Sequence, residues 1–211
     1  MVLLGKELVF PPVESASPEG ILAFGGDLRP ERLMLAYRSG IFPWYNEGEP
    51  IIWYSPAKRM VLFPNELHIS HSMRKVLRNP KFEVTWNKAF EQVIDQCQKS
   101  PRNDQLGTWI TEDMKNAYIR LHELGFAKSV EVWQGKELVG GLYGIDLGHI
   151  FCGESMFSKV SNTSKLAFIH LVKKLEKKQY NLIDCQVYNE HLESLGAREI
   201  SRKQFMEMLR A

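Results

Sequence analysis

Residues 181–197, NLIDCQVYNEHLESLGA, open as a buried strand and close as a short helix ending at Gly196. The strand part carries a carboxylate, Asp184, and an amide, Gln186, where apolar residues would fit. Side chains alternate along a strand, so Asp184 and Gln186 share one face, about 7 Å apart, and Ile183 and Cys185 take the other. Each buried polar group costs about 1–3 kcal/mol unless it is hydrogen-bonded. A third one, Glu154, sits in the otherwise apolar FCGESMF run. Three polar side chains converging on one sheet position mark a candidate site.

Working outward, a helix of about 18 residues precedes this strand; it is capped near Ser161 or Asn162 and runs to Gln179. Before it come three strands. SVEVWQ turns at Gly135–Lys136 into ELVGGLYGID, which turns at Leu147–Gly148 into HIFCGESMF. A strand after a long helix lies parallel to a hairpin strand through a right-handed crossover. Earlier still, Ser70 caps a helix through Leu77, and KFEVTW is a strand. Asn87 caps a helix with Phe90, Val93, Ile94 and Cys97 on one stripe. Thr111 caps another with Met114, Ala117, Tyr118 and Leu121 inward.

The order of hairpin strands, long helix, strand and helix ending in L-G resembles the acyltransferase fold of the GCN5-related N-acetyltransferases. Those enzymes hold a pyrophosphate on a glycine-rich loop opening the long helix. Here the stretch is FSKVSNTSK, which has no glycine. The expected class is therefore α+β. A GCN5-related N-acetyltransferase-like domain spans residues 66–211. A small α/β domain, residues 1–65, packs on it. That first segment holds eight of the ten prolines. Its one clear helix is Pro30–Arg38, with Leu33, Met34 and Tyr37 on one face and Gly40 at its end.

Bulk properties narrow the function. The chain has 211 residues, enough for one sizeable core or a core with a smaller companion. A net charge of +2 confines any nucleic-acid surface to a local patch. Cys97, Cys152 and Cys185 are odd in number and widely spaced, which argues against a disulfide framework and a zinc site. The N-terminal apolar run is too short for a signal peptide, and no later run reaches membrane length. A cytoplasmic protein is expected, with no membrane partner and no metal. A monomer is expected too.

ILAFGGDL, AYRSGIFPWY, IIWYSP, GTWI, ELVGGLYG, FCGESMFS and LIDCQV…SLGA follow one another in the order found in the leucyl/phenylalanyl-tRNA–protein transferases, and the chain resembles that family over nearly its whole length. The resemblance implies transfer of Leu or Phe, and sometimes Met, from aminoacyl-tRNA to the α-amine of proteins beginning with Arg or Lys, which marks them for N-end-rule degradation. It implies no cofactor. It places the catalytic centre at Asp184 and Gln186 with Glu154 nearby, and the aminoacyl pocket at Leu142, Phe151, Met156, Leu171 and Ile183. Trp44 and Trp109 match positions that stack the terminal adenosine. Arg74, Lys75, Arg78 and Lys81, with Lys58 and Arg59 before them, are the expected contacts to the tRNA body. Gln186 is too weak a base to act alone; its carbonyl accepts a hydrogen bond from the attacking amine, and Asp184 orients it. Whether the proton goes to Asp184, to water or to the ribose is left open. Glu154 is assigned either to the donor ammonium or to the cationic acceptor. A coenzyme-A acetyltransferase and a non-catalytic RNA-binding module remain as alternatives.

Overall fold

The computed structural model describes residues 2–100 and 110–210. From the N-terminus, β1 (Val2–Leu4), β2 (Ile21–Gly25), α1 (Pro30–Arg38), β3 (Phe42–Pro43) and β4 (Ile52–Tyr54) form a four-stranded sheet, order β1-β2-β4-β3, with its helix. Trp53 is wholly buried there, its indole N–H donating to Gly25 O at 2.9 Å. The chain continues through β5 (Lys58–Leu62), α2 (His71–Leu77), β6 (Phe82–Trp86), α3 (Phe90–Lys99), α4 (Glu112–Glu123), β7 (Ala127–Gln134), β8 (Glu137–Asp146) and β9 (Ile150–Ser158). Last come α5 (Thr163–Lys177), β10 (Leu182–Gln186), α6 (Glu190–Glu193), β11 (Arg198–Ser201) and α7 (Arg202–Arg210).

A seven-stranded sheet, order β11-β5-β10-β9-β8-β7-β6, separates two apolar layers. On one side α5 buries Leu166, Ile169 and Val172 with Phe151, Ile183 and Met73. On the other, α1, α3, α4 and α7 contribute Leu33, Phe90, Val93, Met114, Leu121 and Phe205. The β7-β8-β9 meander, the α5 crossover and the parallel β9–β10 pair are the GCN5-related N-acetyltransferase-like arrangement expected from the sequence. β5 belongs to this larger sheet although it lies within residues 1–65; it runs antiparallel to both β10 and β11.

Local chemistry explains three of the helix starts. Ser70, Thr111 and Asn189 accept from the amides of Met73, Met114 and Leu192, as N-caps do. Asn87 does not cap α3: with φ of 54° it turns its carbonyl oxygen to Ser129 N instead. Neither Ser161 nor Asn162 caps α5 through its side chain. Asn162 adopts φ of 69°, and Ser158 Oγ takes the amide of Ser164 at 2.8 Å. That satisfies one of the amides left free at the start of α5.

Candidate active site

The parallel pairing of β9 with β10 stops at Asp184↔Cys152. Past this point both strands bulge. On β9, Tyr143 pairs with Ser155 and Gly144 with Gly153, which leaves Glu154 as the extra residue. On β10, Asp184 pairs with Val61 and Gln186 with Met60, which leaves Cys185 extra. Gln186 takes φ of 65°, a left-handed conformation that costs a non-glycine residue about 1–2 kcal/mol. Gly144 is required here, because a Cβ on it would stand 2.2 Å from Cys152 O. The strands splay, and a cavity of about 670 Å³ opens between them.

One hydrogen bond spans the gap: Gln186 Nε2 donates to Glu154 Oε1 at 2.8 Å. The other oxygen of Glu154 accepts from Tyr118 OH at 3.0 Å, and the Tyr118 hydroxyl is hydrogen-bonded to that of Tyr37. Loss of water raises the pKa of Glu154. The Tyr37 and Tyr118 hydroxyls pull it back, the Asp184 charge raises it further and Gln186 lowers it, leaving it at about 7. Burial and the nearby Glu154 charge push both tyrosines well above their ordinary value.

Asp184 is engaged differently from the sequence expectation. It is wholly buried and forms a forked ion pair with Arg59, Nε to Oδ1 at 2.8 Å and Nη2 to Oδ2 at 2.7 Å. Its Oδ1 also accepts from the backbone amide of Gln186 at 2.9 Å. Asp184 thus fixes the main chain under Gln186, while Glu154 holds the side chain. Arg59 is only 2% exposed, so it is not a contact for the tRNA body. Its guanidinium lies between the rings of Phe42 and Phe205, at 4.7 and 4.6 Å. Burial lowers the Arg59 pKa, and the Asp184 charge more than reverses this.

Leu142, Met156 and Leu171 line the cavity, as does Trp44. Phe151 and Ile183 do not reach it. They pair with each other across β9 and β10 before the splay and are buried in the α5-side layer. Phe168, Cys185 and Leu192 line the wall instead. Phe168 had a legible signal, since it lies one helical turn before Leu171. The position of Trp109 lies outside the described residues. Arg74, Lys75, Arg78 and Lys81 are exposed on and after α2, and among the described residues none forms a salt bridge. Lys81 Nζ lies 4.7 Å from the Phe82 ring centre. No helix among the described residues is long and apolar enough to cross a membrane.

The family model for leucyl/phenylalanyl-tRNA protein transferase matches residues 61–210, and the model for that family's N-terminal domain matches residues 26–57. A leucyl/phenylalanyl-tRNA–protein transferase of Flavobacterium johnsoniae is 64% identical over 211 residues, covering 100% of both chains. That of Flavobacterium psychrophilum is 57% identical over 210 residues, again covering 100% of both. That of Stutzerimonas stutzeri is 56% identical over 205 residues, 96% of this chain and 90% of the relative. Among solved structures, FemX superposes with a TM-score of 0.51 at 11% identity over 86% of this chain and 71% of its own, a likeness of fold. The chain belongs to the leucyl/phenylalanyl-tRNA–protein transferase family.

Proposed function

We propose that this protein transfers leucine or phenylalanine from aminoacyl-tRNA to the N-terminal α-amine of proteins that begin with Arg or Lys, marking them for N-end-rule degradation. The observation that carries this reading is the Gln186–Glu154 bridge across splayed strands beside an apolar-walled cavity. The ester at the tRNA 3′ end is already activated. The amine nitrogen attacks the ester carbonyl, the tetrahedral intermediate collapses, and the bond to the ribose oxygen breaks as the amide forms. The amine loses a proton and the ribose oxygen gains one. The enzyme must hold the reactants in line and accept a hydrogen bond from the amine as it attacks.

Gln186 is suited to the second task. With its nitrogen donating to Glu154, its carbonyl oxygen is left for the amine. Leu142, Met156, Phe168 and Leu171 form the wall for the donor side chain; the flexible thioether of Met156 suits a pocket admitting both Leu and Phe. Trp44 is the platform for the terminal adenine, where stacking contributes about 1–3 kcal/mol. The basic residues on and after α2, Arg74, Lys75, Arg78 and Lys81, take the tRNA body. This scheme uses neither metal nor coenzyme A. We place the protein in the cytoplasm as a monomer, which light scattering would check.

The test is transfer of labelled leucine from Leu-tRNA to a peptide with N-terminal Arg, without coenzyme A, by the wild type and by Gln186→Ala. Transfer lost in a folded variant supports both reaction and site. Transfer unaffected by the substitution moves the chemistry elsewhere. Absence of transfer with Leu-tRNA still bound returns the chain to a silent RNA-binding module.

A further inference from the structure

We propose that Glu154 is a positioning residue whose ionised carboxylate sets which end of the Gln186 amide faces the cavity, so that transfer requires Glu154 to be deprotonated. This deepens the transfer reaction proposed above and rests on it.

The argument begins with donors and acceptors. An ionised carboxylate can only accept, and an amide has one accepting and one donating end. Gln186 Nε2 at 2.8 Å from Glu154 Oε1 is therefore the favoured orientation while Glu154 carries a charge. The amide oxygen then faces the cavity and can accept from an incoming amine. When Glu154 binds a proton, the arrangement reverses. Tyr118 OH already donates to Oε2, so the proton goes to Oε1 and meets Nε2 as donor against donor. Rotation of the amide relieves that clash. It also turns Nε2 into the cavity, and a donor cannot assist an attacking amine.

The surroundings allow this change near neutrality. Glu154 is faced by Tyr37 from α1, Tyr118 from α4, and Asp184 and Gln186 from β10. The Arg59 charge on β5 and the Cys152 thiol on β9 also feel it, and Tyr143 on β8 meets the Tyr118 ring edge-on at 5.6 Å. Loss of water favours the proton, the tyrosine hydroxyls oppose it, Asp184 favours it and Gln186 opposes it, so the Glu154 pKa is pushed up to about 7. Asp184 is tied to Arg59 and holds only the backbone of Gln186, which leaves Glu154 to orient the amide.

The experiment is the pH profile of kcat/KM for leucyl transfer to an Arg-peptide. The acceptor ammonium, with a pKa of about 8, contributes one unit of slope on the acid side. The wild type should show a second unit below about pH 7, falling roughly a hundredfold per pH unit. Glu154→Gln should lose that second unit and keep the first. Tyr118→Phe and Tyr37→Phe each remove a hydroxyl that favours the ionised carboxylate, and should move the lower inflection to higher pH. These two conservative variants also carry the test if Glu154→Gln does not fold. A wild-type slope of one, a slope of two retained in Glu154→Gln, or an inflection that neither tyrosine variant moves would overturn the inference while leaving the reaction intact. A wild type with no transfer at any pH would refute the reaction and, with it, this role.

Discussion

Replacing Asp184 with Asn tests how the site is built. The substitution keeps shape and removes one charge. Arg59 is then left 2% exposed between two aromatic rings, with its counter-ion gone. The amide nitrogen that replaces one carboxylate oxygen, in either orientation, points a donor at a guanidinium N–H or at the Gln186 amide, both of which used the lost oxygens. Breaking a buried pair from one side costs about 3–5 kcal/mol, because the remaining charge stays buried without a partner. For a chain of this size that lowers Tm by about 10 °C. Urea unfolding gives the free energy and calorimetry the midpoint. Adding Arg59→Met should recover most of the loss, since the orphaned charge goes with it, and the coupling between the two changes should be about 3 kcal/mol. Transfer should not recover, because the main chain under Gln186 still lacks its charged acceptor. A loss below about 1 kcal/mol for the single variant, or a double variant costing the sum of the two, would refute this account of the pair.

Three further outcomes are expected. Gln186→Gly relieves the left-handed backbone at φ of 65° but removes the amide; stability should stay within about 1 kcal/mol of wild type while transfer is lost, which unfolding curves and the transfer assay check together. Leu171→Phe narrows the cavity wall and should reduce phenylalanine transfer relative to leucine by about tenfold or more, and equal loss of both would remove Leu171 from the donor pocket. Neutralising Arg74, Lys75, Arg78 and Lys81 one at a time to Gln should flatten the salt dependence of tRNA binding by about one unit of log–log slope each; an unchanged slope would make α2 a solvated face.

The fold was legible where short-range chemistry decides it. Ser70 and Thr111 announce helix starts, and the Phe90-Val93-Ile94-Cys97 stripe is buried as its spacing requires. The crossover through α5 follows from connection length and handedness alone. Asn87 shows the limit: its side chain serves the amide of Ser129, 42 residues away, and not the start of α3. At the site, Asp184, Gln186 and Glu154 stood out as polar groups in apolar strands. Their partners did not. Arg59 reads as one more surface cation until β5 is known to lie beside β10, 125 residues further along the chain. Tyr37 and Tyr118 fit the inward faces of α1 and α4, and nothing local shows that their hydroxyls meet under Glu154. The two bulges leave no trace in the alternation, and Phe151 and Ile183, pocket positions by family resemblance, pair with each other before the strands part.

The position of β5 bears on when the enzyme comes into being. It is made before both of its neighbours, β10 and β11. During synthesis it must wait, unpaired on either edge, until the stretch that carries them, 125 residues further along from Arg59 to Asp184, has emerged. Arg59 waits with it, and Asp184 is still untranslated. The strand that carries Gln186 therefore acquires its support only when two segments far apart along the chain meet. A piece that begins after residue 65 lacks Arg59 and carries Asp184 without its partner cation.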